Sequence, residues 1–303
     1  MCGISQALVE ETAAPQERRP EKDVKRMAGK KSGNMAIRVG VAVIGSALSA
    51  WILTAAPPWG TGLLLTVLTA LMGFELTVPT GLVHTRLLQV CAVLGAAATP
   101  WIFYFRLPLT VCALLLFGAA AILFLIAILQ AHGPSPAELA VTLASAVLFP
   151  SALSLMLETL RMENGRKLVV IPLIAAWCAD GLALITGMLI GRHKLIPRVS
   201  PNKTVEGFFG GIGGSLIGLA VYGGILTLRG FRVPWVAFAV YAVVGALAGV
   251  LGDLALSYIK RACGIKDFGK LLPEHGGVLD RFDSVSFAVP ACYFCFLLFP
   301  PTF

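Results

Sequence analysis

The sequence predicts an all-α, polytopic integral membrane protein with about nine transmembrane helices. Its 303 residues are 57% hydrophobic and 13% charged, whereas soluble domains carry about 25% charged residues. The charges are also segregated, because residues 1–34, 191–206 and 253–283 hold 12, 5 and 10 of the 40 charged side chains. The rest of the chain is a series of apolar runs, and a run of about 20 residues is enough to cross a bilayer.

The apolar runs define nine predicted spans and three regions of the chain. The spans are 36–56, 60–76, 87–104, 107–130, 137–157, 168–190, 207–228, 234–252 and 284–300. We expect Pro150 to kink the fifth span, which is tolerated where neighbouring helices satisfy the freed backbone groups. Residues 1–34 are predicted to be a disordered tail, 35–167 a first group of transmembrane helices and 168–303 a second group that carries the other two charged tracts.

The distribution of Lys and Arg predicts the orientation. Cytoplasmic loops of membrane proteins carry an excess of these residues, and residues 1–34 contain seven of them. We therefore expect a cytoplasmic N-terminus, and nine spans then place residues 191–206 and 253–283 on the same side. The net charge of +8 thus indicates cytoplasmic loops and a site for anionic ligands, not a nucleic-acid-binding surface.

Residues 253–283 bring acids and bases together between the last two predicted spans, with five of each. Four polar residues are spaced to share one helical face: Asp253, Ser257, Lys260 and Arg261. Asp280 and Asp283 share a face at the start of the last span. Mg²⁺ usually binds one or two carboxylates plus substrate phosphates, and Lys and Arg suit phosphate oxygens. An ordinary solvated loop would explain the charges, but not acids at the ends of two spans, where burial is costly.

Three further polar features precede that tract. Ser200, Lys203 and Thr204 can bind phosphate at a helix start; alternatively Thr204 or Ser200 is an N-cap, with Glu206 in the first turn, and both can hold together. Asp180 lies within the sixth span, where a carboxylate indicates a functional site by default. Glu75, near the end of the second span, is instead expected to snorkel to the interface.

From residue 257 to residue 283 the chain reads S-x-x-K-R, then K-D, P-x-H-G-G and D-R-x-D, at positions Ser257, Lys260, Arg261, Lys266, Asp267, Pro273, His275, Gly276, Gly277, Asp280, Arg281 and Asp283. This pattern resembles the signature of the phosphatidate cytidylyltransferase (CDP-diacylglycerol synthase) family. Residues 200–207 are similar to the family's S-P-x-K-T-x-E-G segment. The chain departs from the pattern at Gly181, Leu184 and Asn202, where the family usually has a hydroxyl residue, an aromatic residue and Lys.

The resemblance implies conversion of CTP and phosphatidic acid to CDP-diacylglycerol and pyrophosphate in phospholipid biosynthesis, with 168–303 as the catalytic region. The implied metal ligands are Asp253, Asp280 and Asp283, with Asp180 as a further candidate. The cofactor is then Mg²⁺, and a second, monovalent cation is left open. The implied catalytic residues are Lys260, Arg261, Asp267, His275 and Arg281. The implied substrate-binding residues are Ser200, Lys203, Thr204, Ser257, Lys266, Gly276 and Gly277.

The expected partners are CTP, phosphatidic acid and membrane lipids, while a homo-oligomer is left open. Two other functions stay open as well. One is a related CTP-dependent enzyme that acts on an isoprenoid-type lipid. The other is a membrane transporter whose intramembrane acids bind cations. Transporters usually have broken helices in corresponding halves, whereas the polar groups of this chain concentrate in its C-terminal half.

Overall fold

A computed structural model describes residues 48–130, 133–269 and 276–300. These residues contain eight helices that are long and apolar enough to cross a membrane. They are α1 (Pro58–Thr77), α2 (Arg86–Tyr104), α3 (Leu109–Leu129), α4 (Pro136–Arg161), α5 (Gly165–Ile190), α6 (Val205–Leu228), α7 (Trp235–Ala262) and α8 (Leu279–Leu298). They match the second to ninth predicted spans, so the all-α polytopic prediction is confirmed. The first predicted span is described from residue 48 only, and residues 48–55 are helical; the predicted disordered tail lies outside the described residues.

The last two helices differ most from their predicted bounds. Helix α7 continues to Ala262 instead of ending at residue 252, and α8 begins at Leu279 instead of residue 284. The predicted ends were placed where charged residues begin. In the structure Lys260 of α7 pairs with Asp280 of α8, and Asp253 of α7 pairs with Lys203, so these charged side chains are accommodated on the helices. The predicted polar faces therefore lie on the helices themselves.

A widened turn precedes Pro150 in α4, and the predicted kink stays a prediction. Residues Ala144–Leu148 form a π-helix before this proline. Proline has no N–H, so it cannot donate to the carbonyl of Ala146 four residues earlier. Thr99 of α2 donates its hydroxyl to that carbonyl at 2.9 Å. The freed backbone group is therefore satisfied by a neighbouring helix.

Small residues bring α5, α6, α7 and α8 into close contact. A Cβ added at Gly214 of α6 would lie 2.5 Å from the carbonyl oxygen of Cys178. A Cβ at Gly252 of α7 would lie 2.5 Å from the carbonyl oxygen of Asp283. Close backbone approach through small residues is the usual way in which membrane helices pack. These four helices thus form a tight block, whereas α3 is largely exposed.

A short antiparallel hairpin joins α5 to α6 across residues 191–204, where the sequence predicts a loop. It consists of β1 (Lys194–Ile196) and β2 (Ser200–Thr204), with Lys194 opposite Thr204. The hydroxyl of Thr204 accepts the N–H of Gly207 at 3.1 Å, and Glu206 lies in the first turn of α6. The capping alternative is therefore confirmed with Thr204 as the N-cap, while Ser200 lies in β2.

Candidate active site

The polar tracts meet at one end of the helix bundle. The hairpin contacts α7, because the Lys203 ammonium lies 2.6 Å from Oδ2 of Asp253 and Nε of Arg261 donates to the carbonyl of Val199 at 3.4 Å. The end of α1 contacts the start of α8 through Glu75. Residues that are far apart in the sequence thus form one polar region.

A buried ion pair joins α7 to α8. The Lys260 ammonium lies 2.8 Å from Oδ1 of Asp280, and the two side chains are 10% and 5% exposed. The other oxygen of Asp280 accepts the N–H groups of Phe268 at 2.8 Å and Gly277 at 2.9 Å. Removing one partner of a buried pair typically costs about 3–5 kcal/mol. Asp280 therefore fixes the described ends of the α7–α8 connection onto both helices.

The two adjacent glycines of this connection are required by the backbone and its neighbours. Gly276 has a φ of +80°, a conformation that glycine adopts without steric cost. A Cβ at Gly277 would lie 2.4 Å from Oε2 of Glu75. The backbone conformation and the close neighbours thus explain why glycine stands at both positions. The role of both residues in substrate binding stays a prediction.

Asp253 binds two of the predicted substrate-binding residues. Its Oδ2 pairs with Lys203 of the hairpin, and its Oδ1 accepts the hydroxyl of Ser257 one turn along α7 at 3.1 Å. The Lys203 and Asp253 side chains are each about a quarter exposed. This pair therefore lies at the rim of the polar region, where it can reach solvent.

Two carboxylates on different helices share the hydroxyl of Ser284. This hydroxyl donates to Oδ2 of Asp180 on α5 at 2.8 Å and lies 3.4 Å from Oδ1 of Asp283. Asp283 also accepts the backbone N–H of Ser284 at 2.8 Å. A hydroxyl has a single proton to donate, so it cannot satisfy both acids at once. The pair therefore has spare oxygen lone pairs that can bind a cation.

The donor chemistry of this pair fits Mg²⁺. Mg²⁺ is usually held by one or two carboxylates, with water and substrate phosphates completing its shell. Asp180 and Asp283 supply two carboxylates, while Asp253 and Asp280 each engage a lysine. Within residues 48–130, 133–269 and 276–300, no group of three or more His, Cys, Asp and Glu is arranged to hold a metal ion. The ligand assignments of Asp253, Asp280 and Asp283 stay predictions.

The remaining predicted residues that the structure describes lie at the same end of the bundle. Three of them are exposed: Arg281 on α8, and Lys266 and Asp267 in the α7–α8 connection. Arg261 is exposed at the end of α7 and also donates to the carbonyl of Ile265 at 3.2 Å. Ser200 is half-buried in β2. His275 lies outside the described residues.

Comparison with known proteins places this arrangement in a family. Residues 36–299 match the profile of the Cytidylyltransferase family. The chain belongs to this family. A phosphatidate cytidylyltransferase from Bacillus subtilis (strain 168) is 38% identical over 137 residues, which cover 45% of this chain and 50% of that protein. Proteins of the same name from Staphylococcus saprophyticus and Staphylococcus aureus (strain COL) are 41% identical over 128 residues and 42% identical over 129 residues.

The match to the Cytidylyltransferase family covers every described helix and all the site residues above. The match to each of the two staphylococcal relatives covers 42% of this chain and 48% of the relative. The chain therefore spans about half the length of the curated relatives it matches. The resemblance to the phosphatidate cytidylyltransferase family, based on the polar motifs, is confirmed.

The prediction for Glu75 is wrong. It was expected to snorkel to the membrane interface, but its side chain lies inside the bundle and the residue is 2% exposed. Its Oε1 accepts the N–H of Val278 at 2.9 Å, and its Oε2 accepts the N–H of Leu279 at 2.7 Å. These partners are more than 200 residues away in the sequence, so no local pattern indicates them. The acid within an apolar span was the one available signal.

Proposed function

We propose that this member of the Cytidylyltransferase family converts CTP and phosphatidic acid to CDP-diacylglycerol and pyrophosphate. The observation that carries the proposal is the similarity to relatives named phosphatidate cytidylyltransferase. The structure supports it, because lysines and acids from four helices and a hairpin meet at one end of a membrane-spanning bundle. Such a place is accessible to a soluble nucleotide and to a lipid that stays in the bilayer.

The chemistry of the reaction suits this set of residues. An oxygen of the lipid phosphate attacks the α-phosphorus of CTP, the bond from that phosphorus to the oxygen bridging to the β-phosphate breaks, and pyrophosphate leaves. The nucleophile is already anionic, so it needs no strong general base. The main obstacle is repulsion between two polyanions. Phosphoryl transfers are accelerated mainly by positioning and charge neutralisation, which the lysines and arginines of this site can supply.

We assign phosphate binding to the cations at the rim. Lys203 is partly exposed and is held by Asp253, so it can turn toward a bound phosphate without losing its partner. Arg281 is exposed one residue after Asp280, and Arg261 is exposed near the hairpin. Arginine binds phosphate oxygens in a bidentate manner. Lys260, which is paired and nearly buried, is assigned to orienting α8.

We assign Mg²⁺ binding to Asp180 and Asp283, with Ser284 between them. A bound Mg²⁺ supplies positive charge that neutralises phosphate oxygens and the leaving pyrophosphate. The carboxylate of Asp283 is nearly buried and lies close enough to Asp180, Asp253 and Lys260 for their charges to act on it. Asp283 is therefore the central acid of the proposal. A second, monovalent cation is retained only as an expectation from the resemblance.

We place this end of the bundle at the cytoplasmic face. CTP is a cytoplasmic nucleotide, and the hairpin and the α7–α8 connection both carry Lys and Arg, which favours the cytoplasmic side. The acyl chains of the lipid would then lie among the apolar side chains that the helices expose. Membership of the family argues against the cation-transporter alternative, whereas the lipid specificity has to be measured.

Purified protein given CTP, Mg²⁺ and a panel of lipids tests the proposal. The panel contains phosphatidic acid, diacylglycerol, a polyprenyl phosphate and a polyprenol, and products are identified by mass spectrometry. We expect phosphatidic acid to be consumed, with one pyrophosphate released for each CDP-diacylglycerol formed. Faster consumption of a polyprenyl lipid would favour the isoprenoid-lipid alternative. Turnover of neither class would contradict the proposal.

A further inference from the structure

The N-terminus of α8 is capped by a residue that lies more than 200 positions earlier in the sequence. Val278 occupies the N-cap position, and its apolar side chain cannot accept a hydrogen bond. The first N–H groups of a helix have no partner within the helix. Glu75, in the last turn of α1, accepts two of them, from Val278 and Leu279. A carboxylate at this position is also favourable to the helix dipole.

The carboxylate of Glu75 is enclosed by the polypeptide backbone. Glu75 is 2% exposed. A Cβ at Gly277 would lie 2.4 Å from Oε2, and a Cβ at Gly269 would lie 2.5 Å from Oε1. The backbone at both described ends of the α7–α8 connection is therefore packed directly against the carboxylate. A residue enclosed in this way cannot contact a substrate, so any effect it has on turnover must act through its neighbours.

Those neighbours carry the central acids of the site. Asp283 and Ser284 lie within the first two turns of α8, and Ser284 donates to Asp180 of α5. Successive residues of a helix are fixed at about 100° to one another. A rotation of the first turn of α8 would therefore turn Ser284 with it and move this hydroxyl away from Asp180. The two hydrogen bonds that Glu75 accepts fix the rotation of this turn about the helix axis and its position along that axis.

We infer that Glu75 is a positioning residue for the proposed cytidylyl transfer. It fixes the first turn of α8 from outside the C-terminal group of helices, so that Asp283 and Ser284 face Asp180. The inference rests on the proposed function for its kinetic consequence. The capping itself does not depend on which reaction the site performs.

The test compares Glu75→Gln with Thr77→Val in the full-length protein. Glutamine has the size of glutamate, but its NH₂ group would face one of the two N–H donors. Thr77 is buried two residues away, and its hydroxyl bonds within α1 to the carbonyl of Gly73, so it is a matched control for burial. Three quantities are measured: amide hydrogen exchange of residues 276–284, kcat with the KM for CTP, and the thermal unfolding midpoint.

For Glu75→Gln we expect exchange at Val278 and Leu279 to become at least tenfold faster. We also expect kcat to fall at least tenfold with the KM for CTP within about twofold. For Thr77→Val we expect neither change. If Glu75→Gln does not yield folded protein, Glu75→Asp replaces it with the same expectations, because the shorter side chain cannot reach both donors.

Unchanged exchange at Val278 and Leu279 would overturn the inference, and so would wild-type kcat with faster exchange. A loss of activity in proportion to a uniform rise of exchange over all helices would also overturn it, because Glu75 would then be merely structural. Hydrogen exchange needs no substrate. If the wild type does not use CTP, the proposed function fails while the exchange result still decides the capping.

Discussion

At the scale of single residues, the site depends on hydroxyl and ammonium groups that hold carboxylates in place. Ser284 lies between Asp180 and Asp283, and Lys260 neutralises Asp280. Without such partners, acids inside a membrane protein would repel one another and carry a large desolvation cost. The partners therefore determine where negative charge is available to a cation or to a substrate.

We predict that Ser284→Ala weakens the response to Mg²⁺. Residues that orient metal ligands typically contribute 10–100-fold to metal affinity or activity. The Mg²⁺ concentration for half-maximal activity should therefore rise about tenfold or more. Ser286→Ala is the control, because Ser286 is buried in the same helix and donates its hydroxyl within that helix, to the carbonyl of Phe282. Equal Mg²⁺ curves for both variants would contradict the assignment of Asp180 and Asp283.

The sequence could reveal some of these residues and not others, for a physical reason. Lys260, Asp280 and Asp283 fall in one short tract whose motif resembles a family signature. Glu75 gave no comparable signal, because its partners are the backbone N–H groups of Val278 and Leu279. Every residue except proline has a backbone N–H group, so the residue type does not indicate which N–H groups bind a distant side chain. An acid near a span end therefore has the same local pattern whether it snorkels or caps a distant helix.

At the scale of elements, α7 connects the site to the bundle. It carries Asp253, Ser257 and Lys260 on one face, and a row of small residues on its inner surface lets α5 and α8 approach. A Cβ at Gly245 would lie 2.8 Å from that of Ala175 on α5. At Gly252 it would lie 2.5 Å from the backbone of Asp283 on α8. The acids can meet because these helices touch.

We predict that Gly252→Ala destabilises the protein and that Gly213→Ala does not. The new methyl group at Gly252 would meet a backbone oxygen that cannot move aside, and overpacking of this kind typically costs about 1–3 kcal/mol. A Cβ at Gly213 of α6 would meet nothing within 4 Å among the described residues. Thermal unfolding in detergent measures both. A midpoint for Gly252→Ala equal to that of Gly213→Ala would contradict the packing argument.

Hydropathy predicted the helices well and their polar ends poorly. All eight described helices fall where apolar runs predicted spans, because burial in lipid requires such runs. The ends of α7 and α8 were misplaced because hydropathy treats each charged residue as solvated, whereas Lys260 and Asp280 neutralise each other. The hairpin was missed because strands of three and five residues are too short for a periodic pattern.

At the scale of the whole molecule, the fold collects five separate parts of the chain at one end of the bundle. These parts are the end of α1, the part of α5 around Asp180, the hairpin, the end of α7 and the start of α8. The proposed function requires this end to face the side of the membrane that contains CTP. The seven Lys and Arg of residues 1–34 predict that this side is cytoplasmic.

Cysteine labelling tests this orientation. Single cysteines are introduced at exposed positions, Asn202→Cys in the hairpin, Lys266→Cys after α7 and Arg232→Cys between α6 and α7, in a background free of other cysteines. We expect the first two to react with a membrane-impermeant maleimide from the cytoplasmic side. Arg232→Cys should react from the opposite side. Labelling of Asn202→Cys and Lys266→Cys from different sides would contradict a shared site.

The most direct test of the central claim follows the two ends of the CTP triphosphate. Purified protein is given phosphatidic acid, Mg²⁺ and CTP labelled at the α- or the γ-phosphate. For the wild type and the Ser286→Ala control we expect the α-label in the lipid and the γ-label in pyrophosphate, in equal amounts. Folded Asp283→Asn should give neither labelled lipid nor labelled pyrophosphate. Label from the γ-phosphate in the lipid, no transfer by the wild type, or wild-type transfer by Asp283→Asn would contradict the account.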